Sequence, residues 1–203
     1  MVNKSKTNRC IVGIDEAGRG PVAGPLSVCA LCIKGKLNLK QKPFAYLLAT
    51  SGFKDSKKLS PKKREEIFNA ILKDERIVFA HSFVHAKSID KWGIKKALDI
   101  AVARTLKKMA CEVCELLLDG ALKAPARYRQ KTIVKGDEKV LEIALASVVA
   151  KVKRDKYMEK IHKKYPSYAF NKHKGYGTKK HLELIQKYGK CSEHRKSFLK
   201  GVN

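Results

Sequence analysis

Residues 9–25 read RCIVGIDEAGRGPVAGP, and the way this stretch divides decides the fold class. Arg9 to Ile14 is a short apolar run that reads as a strand ending on Asp15-Glu16. Gly18, Gly20, Pro21, Gly24 and Pro25 then force a loop, because glycine and proline punctuate regular structure. Leu26 to Ile33 follows as a second strand. An apolar strand therefore delivers two carboxylates to the mouth of a glycine-rich loop.

Farther along the chain, strands and helices interleave. Ser60-Pro61 opens a helix running to about Lys73, with serine as N-cap and proline at the first helical position. Ile77 to His85 is rich in β-branched and aromatic residues and reads as a strand. A helix from near Asp90 carries Ile94, Ala97, Leu98, Ala101, Val102, Thr105, Leu106 and Met109 at the three-and-four spacing of one buried face. Leu116-Leu117-Leu118 ends on Asp119-Gly120, and Lys131 to Val134 is a short strand before Gly136-Asp137. A long helix is expected from about Glu138 to His162, with Ser147, Lys151, Arg154 and Asp155 on one side and Ile143, Ala144 and Val148 supplying apolar contacts. The last helix spans about Thr178 to Tyr188, capped by Thr178 and stopped by Gly189. No internal repeat or low-complexity linker interrupts this order. The pattern is that of one α/β domain around a mixed sheet.

Charge narrows the partner. Lys and Arg number 45 against 19 Asp and Glu, a formal net charge of +26. Such an excess is best tolerated by a protein whose partner is a polyanion, and nucleic acid fits, since neutralised phosphates release counterions. No segment approaches the roughly 20 apolar residues that span a bilayer. The polar start, Met1 to Arg9, lacks the apolar stretch of a secretory signal. An intracellular, cytoplasmic protein is expected, with its cysteines reduced. Cys29/Cys32 and Cys111/Cys114 form two CxxC pairs, but each lies in an apolar run and the pairs are far apart. Residues three apart on a strand face opposite sides of the sheet, which suits burial and not chelation of one ion.

Four acids recur at one kind of place. Asp15, Glu16, Asp119 and Asp137 each follow an apolar or β-rich stretch and abut glycine or a loop. Ends of neighbouring strands converge, so such acids can surround one ion. A hard cation such as Mg²⁺ or Mn²⁺ takes oxygen ligands, and two such ions about 3.5–4 Å apart serve phosphodiester cleavage. Taken singly, Asp119-Gly120 also reads as a turn and Asp137 as a helix cap. Adjacent strand residues point to opposite faces, so Asp15 and Glu16 share a cluster only in certain ways. The strand must bend, or Glu16 must reach from the side or lend a main-chain oxygen.

Together these residues resemble the ribonuclease HII family. The matching segments are Asp15-Glu16-Ala17-Gly18-Arg19-Gly20-Pro21 with Ala23-Gly24-Pro25, Asp55-Ser56-Lys57-Lys58-Leu59, Asp119-Gly120 and Lys135-Gly136-Asp137. Ala146-Ser147, Ala150 to Asp155, His173-Lys174-Gly175-Tyr176-Gly177-Thr178, His181 and His194-Arg195-Lys196-Ser197-Phe198 complete the order. The resemblance implies a ribonuclease-H-like fold: a five-stranded mixed sheet flanked by helices, with a helical C-terminal extension. It implies one catalytic domain over residues 10–203, helical from about 160, after a flexible stretch 1–9. It also implies that Asp15, Glu16, Asp119 and Asp137 bind Mn²⁺ or Mg²⁺ and carry catalysis. Gly18, Arg19 and Gly20 would read the ribose 2′-hydroxyl, and Tyr176 the RNA–DNA junction. Lys57, Ser147, Lys151 and Arg154 are expected phosphate contacts. The implied substrates are RNA–DNA hybrids and duplex DNA with embedded ribonucleotides, cut to leave a 3′-hydroxyl and a 5′-phosphate. A monomer is favoured. Gly20-Pro21 separates the chain from the sister type, ribonuclease HIII, and residues 34–51 match no motif.

Two other classes share some of these features. A non-catalytic duplex-binding protein would use the charge but not the acids. Another carboxylate nuclease on the same fold, such as a junction resolvase, would cut duplexes that lack ribose.

Overall fold

A computed structural model describes residues 10–40, 42–49, 52–53, 58–109 and 114–201. Five strands are β1 (Cys10–Ala17), β2 (Leu26–Ile33), β3 (Ile77–Val84), β4 (Cys114–Asp119) and β5 (Arg129–Ile133). The principal helices are α1 (Pro61–Lys73), α2 (Ala86–Met109), α3 (Leu141–Lys164) and α4 (Lys179–Tyr188). The sheet order is β3-β2-β1-β4-β5. Antiparallel pairing joins β1 to β2 and β2 to β3, whereas β1–β4 and β4–β5 are parallel. This is the five-stranded mixed sheet flanked by helices, with short helical elements closing the C-terminal end. A two-residue ladder, Leu48–Ala49 against Gly52–Phe53, lies outside it. Among the described residues no helix is long and apolar enough to cross a membrane.

Local chemistry explains the ends that match the sequence reading. The Ser60 side chain accepts the Lys63 N–H, and Pro61 takes the first helical position of α1. Thr178 likewise accepts the His181 N–H, and α4 stops at Gly189, whose φ is +76°. Three ends differ. β1 does not stop at Ile14 but runs through both acids, because Asp15, Glu16 and Ala17 still pair with Cys29, Val28 and Ser27 of β2. Cross-strand pairing outweighs the local polarity there. The second helix starts at Ala86, already burying Ala86 and Ile89, and breaks at Gly93, where φ is +74°, before the long buried run from Ala97 to Leu106. The third starts at Leu141 and not at Glu138, because Lys135 turns left-handed and Gly136–Glu138 forms a separate 3₁₀ turn. Asp137 therefore sits in a buried turn and caps no helix.

Two apolar layers sandwich the sheet. On one face α2 packs Ala97, Ala101, Val102 and Leu106 against Val12, Ile14, Val28 and Leu116. On the other, α1 and α3 place Ile67, Ile71, Leu145 and Val149 against Cys29 and Leu31. Each fully buried Leu, Ile or Val of this kind stabilises by about 1.5–3 kcal/mol relative to exposure. Cys29 and Cys32 fall in opposite layers, as residues three apart on a strand must, and both thiols are free. Close approach fixes α3 over the centre of the sheet. A Cβ at Gly13 would lie 2.2 Å from the Glu142 carbonyl carbon. A third cluster of Ala23, Met158, Ile161, Tyr168 and Phe170 fastens the C-terminal segment to the loop after β1.

Candidate active site

Register brings the acids together. Ile14 of β1 pairs with Leu118 of the parallel strand β4, so Asp15 and Asp119 follow at one level at the C-terminal ends of adjacent strands. Residues level with each other in a sheet share a face. One carboxylate oxygen each from Asp15, Glu16 and Asp119 lies within 4.8 Å of the other two. The Glu16 side chain itself thus reaches the cluster, although β1 runs straight through both acids. Asp15 Oδ1 accepts the Glu16 N–H at 2.7 Å, which holds that carboxylate back over the following peptide. Asp119 Oδ1 accepts the Gly136 N–H at 2.6 Å and so draws in the turn that carries Asp137. Asp137 lies outside the three-acid group but is buried and close enough to repel Asp15.

Electrostatics record the crowding. Burial, then Glu16 and Asp119, and more weakly Asp137, hold the Asp15 carboxyl well above the usual carboxylate range; only the Glu16 amide opposes them. An oxygen-only donor set of this spacing and charge fits a hard divalent cation.

Beside the acids opens a cavity of about 250 Å³ lined by Asp15, Glu16, Gly18, Arg19, Gly20, Ser147, Lys151 and Tyr176. Eight of the residues expected from sequence thus share one hollow. Lys151 donates to Asp155 at 2.7 Å; burial lowers its pKa and Asp155 works against that shift. Ser147 lends a hydroxyl whose proton goes to the Ala144 carbonyl at 2.8 Å. Tyr176 stands half exposed on the rim. A larger hollow of about 570 Å³ beside Phe44 and Arg76 has no such character, since its Asp74 is already paired with Arg76 at 2.7 Å.

Two expected phosphate contacts do not join this wall. Lys57 lies outside the described residues. Arg154 is a correction: it is 1% exposed, and its nitrogens donate to Pro25 O, Lys174 O and Ala23 O at 3.0, 2.9 and 3.1 Å. A guanidinium spent on core carbonyls has no face left for a phosphate. It explains Gly18 instead. At φ +89°, Gly18 lies so close that an added Cβ would meet Arg154 Nε at 2.1 Å, whereas a Cβ on Gly20 would meet nothing within 4 Å. One glycine is needed for packing; the other leaves the rim of the cavity open.

A chain of histidines behind Tyr176 was not assigned from sequence. His194 Nδ1 accepts the Cys191 N–H at 2.9 Å, which leaves the proton on Nε2 to bridge 3.1 Å to His181 Nε2. His181 then donates from Nδ1 to the Tyr176 carbonyl at 2.8 Å. Burial lowers the pKa of each imidazole to about 4, so both stay neutral at pH 7. Arg195, in the same C-terminal motif, is also fully buried, and the sequence assigns it no role. The one sequence signal for these residues is arginine and histidine set among turn residues in a chain whose cations are mostly lysine.

Acids meeting at the ends of adjacent parallel strands on a five-stranded mixed sheet define a metal-dependent nuclease of the ribonuclease-H-like type. The profile of the family described as ribonuclease HII matches residues 12–200. Similar curated proteins include the ribonuclease HII of Caldicellulosiruptor bescii, 44% identical over 96% of this chain and 88% of that protein. Another, from Prochlorococcus marinus, is 46% identical over 95% and 90%. Among solved structures, a chain of the PCNA:RNase HII complex from Archaeoglobus fulgidus superposes with a TM-score of 0.73. It is 25% identical, covering 92% of this chain and 93% of that one. The chain belongs to the ribonuclease HII family. It is a hydrolase, a divalent-metal-dependent ribonuclease H, from a family that acts on RNA–DNA hybrids.

Proposed function

We propose that the enzyme nicks duplex DNA on the 5′ side of embedded ribonucleotides and cuts the RNA strand of hybrids, leaving a 3′-hydroxyl and a 5′-phosphate. Asp15, Glu16, Asp119 and Asp137 hold Mn²⁺ or Mg²⁺. Bound there, a pair of divalent ions supplies an activated water and stabilises the leaving oxygen. The remaining duties fall to the protein. Gly18, Arg19 and Gly20 bring backbone against the sugar at the cut, where the 2′-hydroxyl alone distinguishes RNA from DNA. Tyr176 offers a flat face to the neighbouring deoxyribose at the junction, and Ser147 and Lys151 meet the phosphate backbone. Such contacts position the duplex without reading its sequence. One observation carries this reading: Asp15, Glu16, the glycine loop and Tyr176 wall a single cavity. The C-terminal part supplies Tyr176 and packs on the loop, which supports residues 10–203 acting as one catalytic unit.

The test uses a labelled DNA duplex with one ribonucleotide beside an all-DNA control. A single nick 5′ to the ribose is expected in Mn²⁺ or Mg²⁺ and none after chelation. Equal cutting of both duplexes would reject ribose recognition. Tyr176→Ala should weaken cutting at isolated ribonucleotides more than within long hybrids, and a uniform loss would remove the junction role.

A further inference from the structure

The Gly18–Pro25 loop is held from behind by Arg195. The segment carrying this residue is zipped to the loop: the Arg195 N–H donates to Val22 O at 2.8 Å, and Ala23 bridges His194. Its guanidinium then donates to Gly24 O at 3.0 Å, Arg19 O at 3.1 Å and Gly18 O at 2.6 Å. The last two bonds fix more than the carbonyls. In a planar trans peptide the N–H points opposite to the C=O. Turning Gly18 O toward Arg195 turns the Arg19 N–H away from it, and turning Arg19 O inward does the same for the Gly20 N–H. Gly18, Arg19 and Gly20 all line the cavity beside the acids. Two successive amides that face away from the core form a concave donor pair, a backbone arrangement suited to an oxygen acceptor.

We propose that Arg195 is a positioning residue for ribose selection: it turns the Gly18 and Arg19 carbonyls inward and so presents the next two N–H groups to the 2′-oxygen. This rests on the reading of that loop given above. Arginine suits the task because a planar fork spans three carbonyls at once, whereas an ammonium is a compact point of charge. The segment is also stapled from outside. Asp90 accepts Lys196 N, Ser197 N and Ser197 Oγ at 2.9, 2.9 and 2.6 Å.

Arg195→Lys is the direct test, with Asp90→Ala as a second variant that loosens the same segment without touching the guanidinium. Ile71→Ala, in the α1 core, serves as a control for lost stability alone. On the single-ribonucleotide duplex in saturating Mn²⁺, Arg195→Lys should lose roughly tenfold to a hundredfold in kcat, as expected for a misplaced reacting group. KM and the Mn²⁺ affinity measured by calorimetry should barely move, and Asp90→Ala should show a smaller loss in kcat. Amide exchange of Val22, Ala23 and Gly24, which donate to Gly175 O and Glu193 O, should speed up in both variants. Wild-type kcat in Arg195→Lys overturns the proposal. So does an equal loss in Ile71→Ala, or a parallel loss of Mn²⁺ affinity. Wild-type enzyme that cuts the all-DNA duplex equally well would remove the ribose reading itself. The exchange rates judge separately whether Arg195 holds the loop.

Discussion

Two groups of buried charge flank residues 18–25, and they are accommodated in opposite ways. On one side Asp15 has Glu16, Asp119 and Asp137 as neighbours, and its carboxyl is pushed toward the neutral form. On the other, Arg154 and Arg195 are as deeply buried, yet each aims three nitrogens at backbone carbonyls. A buried cation ringed by carbonyl dipoles is satisfied by the fold itself. A buried acid surrounded by acids is not, and on the proposed reading a bound cation would relieve that strain. Burial of charge alone therefore does not mark the chemistry of the site; the identity of the neighbours does.

The largest effect expected from this contrast is at Asp15. Asp15→Asn keeps the shape and removes one charge from the acid group. Cleavage should fall by about a thousandfold or more, since the proposed metal site loses both a ligand and a charge. The same variant should melt at a higher temperature than wild type in chelator, because the repulsion is gone. A lower melting temperature without metal would break the comparison, since Asp15 would then be stabilising the fold. The counterpart is Arg154→Met. It leaves the carbonyls of Ala23, Pro25 and Lys174 in the core without their donor, at a cost of about 3 kcal/mol or more. Urea unfolding measures it, and a loss below about 1 kcal/mol would show that the loop can satisfy those carbonyls otherwise.

How far each region could be read in the sequence follows from the same contrast. Ser60-Pro61, Thr178 and the apolar run of β2 announce themselves because caps and strands are decided by residues close in sequence. Asp15, Glu16 and Asp119, each after a β-rich stretch, were legible for a similar reason, although their meeting depends on the register of β1 with β4. The alternative reading of Asp137 as a helix cap fails because Lys135 turns left-handed, which nothing local in the sequence requires. Arg154 was assigned to phosphate because helical spacing puts it on the side of Ser147 and Lys151. Its burial comes from segments 129 and 131 residues away that fold over it. Arg195 answers to carbonyls 171 to 177 residues distant. Helical periodicity and cap motifs do not register contacts of that range.

The smallest effect is a slope, and it divides the two regions by sign. Asp15 has a raised folded pKa, so its contribution to metal-free stability is full below the ordinary carboxylate pKa and is lost as pH rises through the folded value. His81, His181 and His194 behave oppositely. Burial lowers each from 6.5 to about 4, so their contribution is full above pH 6.5 and is lost as pH falls through about 4. Above about pH 4 and up to pH 6.5 the two trends oppose each other, so the one carboxyl blunts, without cancelling, the rise in stability with pH that three histidines give metal-free wild type. Asp15→Asn removes the falling limb, so its urea midpoint should climb more steeply with pH over this window. Saturating Mn²⁺ should steepen the wild-type profile too, because a carboxylate held ionised by a cation no longer favours its proton. If Mn²⁺ leaves the slope unchanged while Asp15→Asn raises it, the cation is not held by Asp15, and the acid side of the comparison loses its explanation.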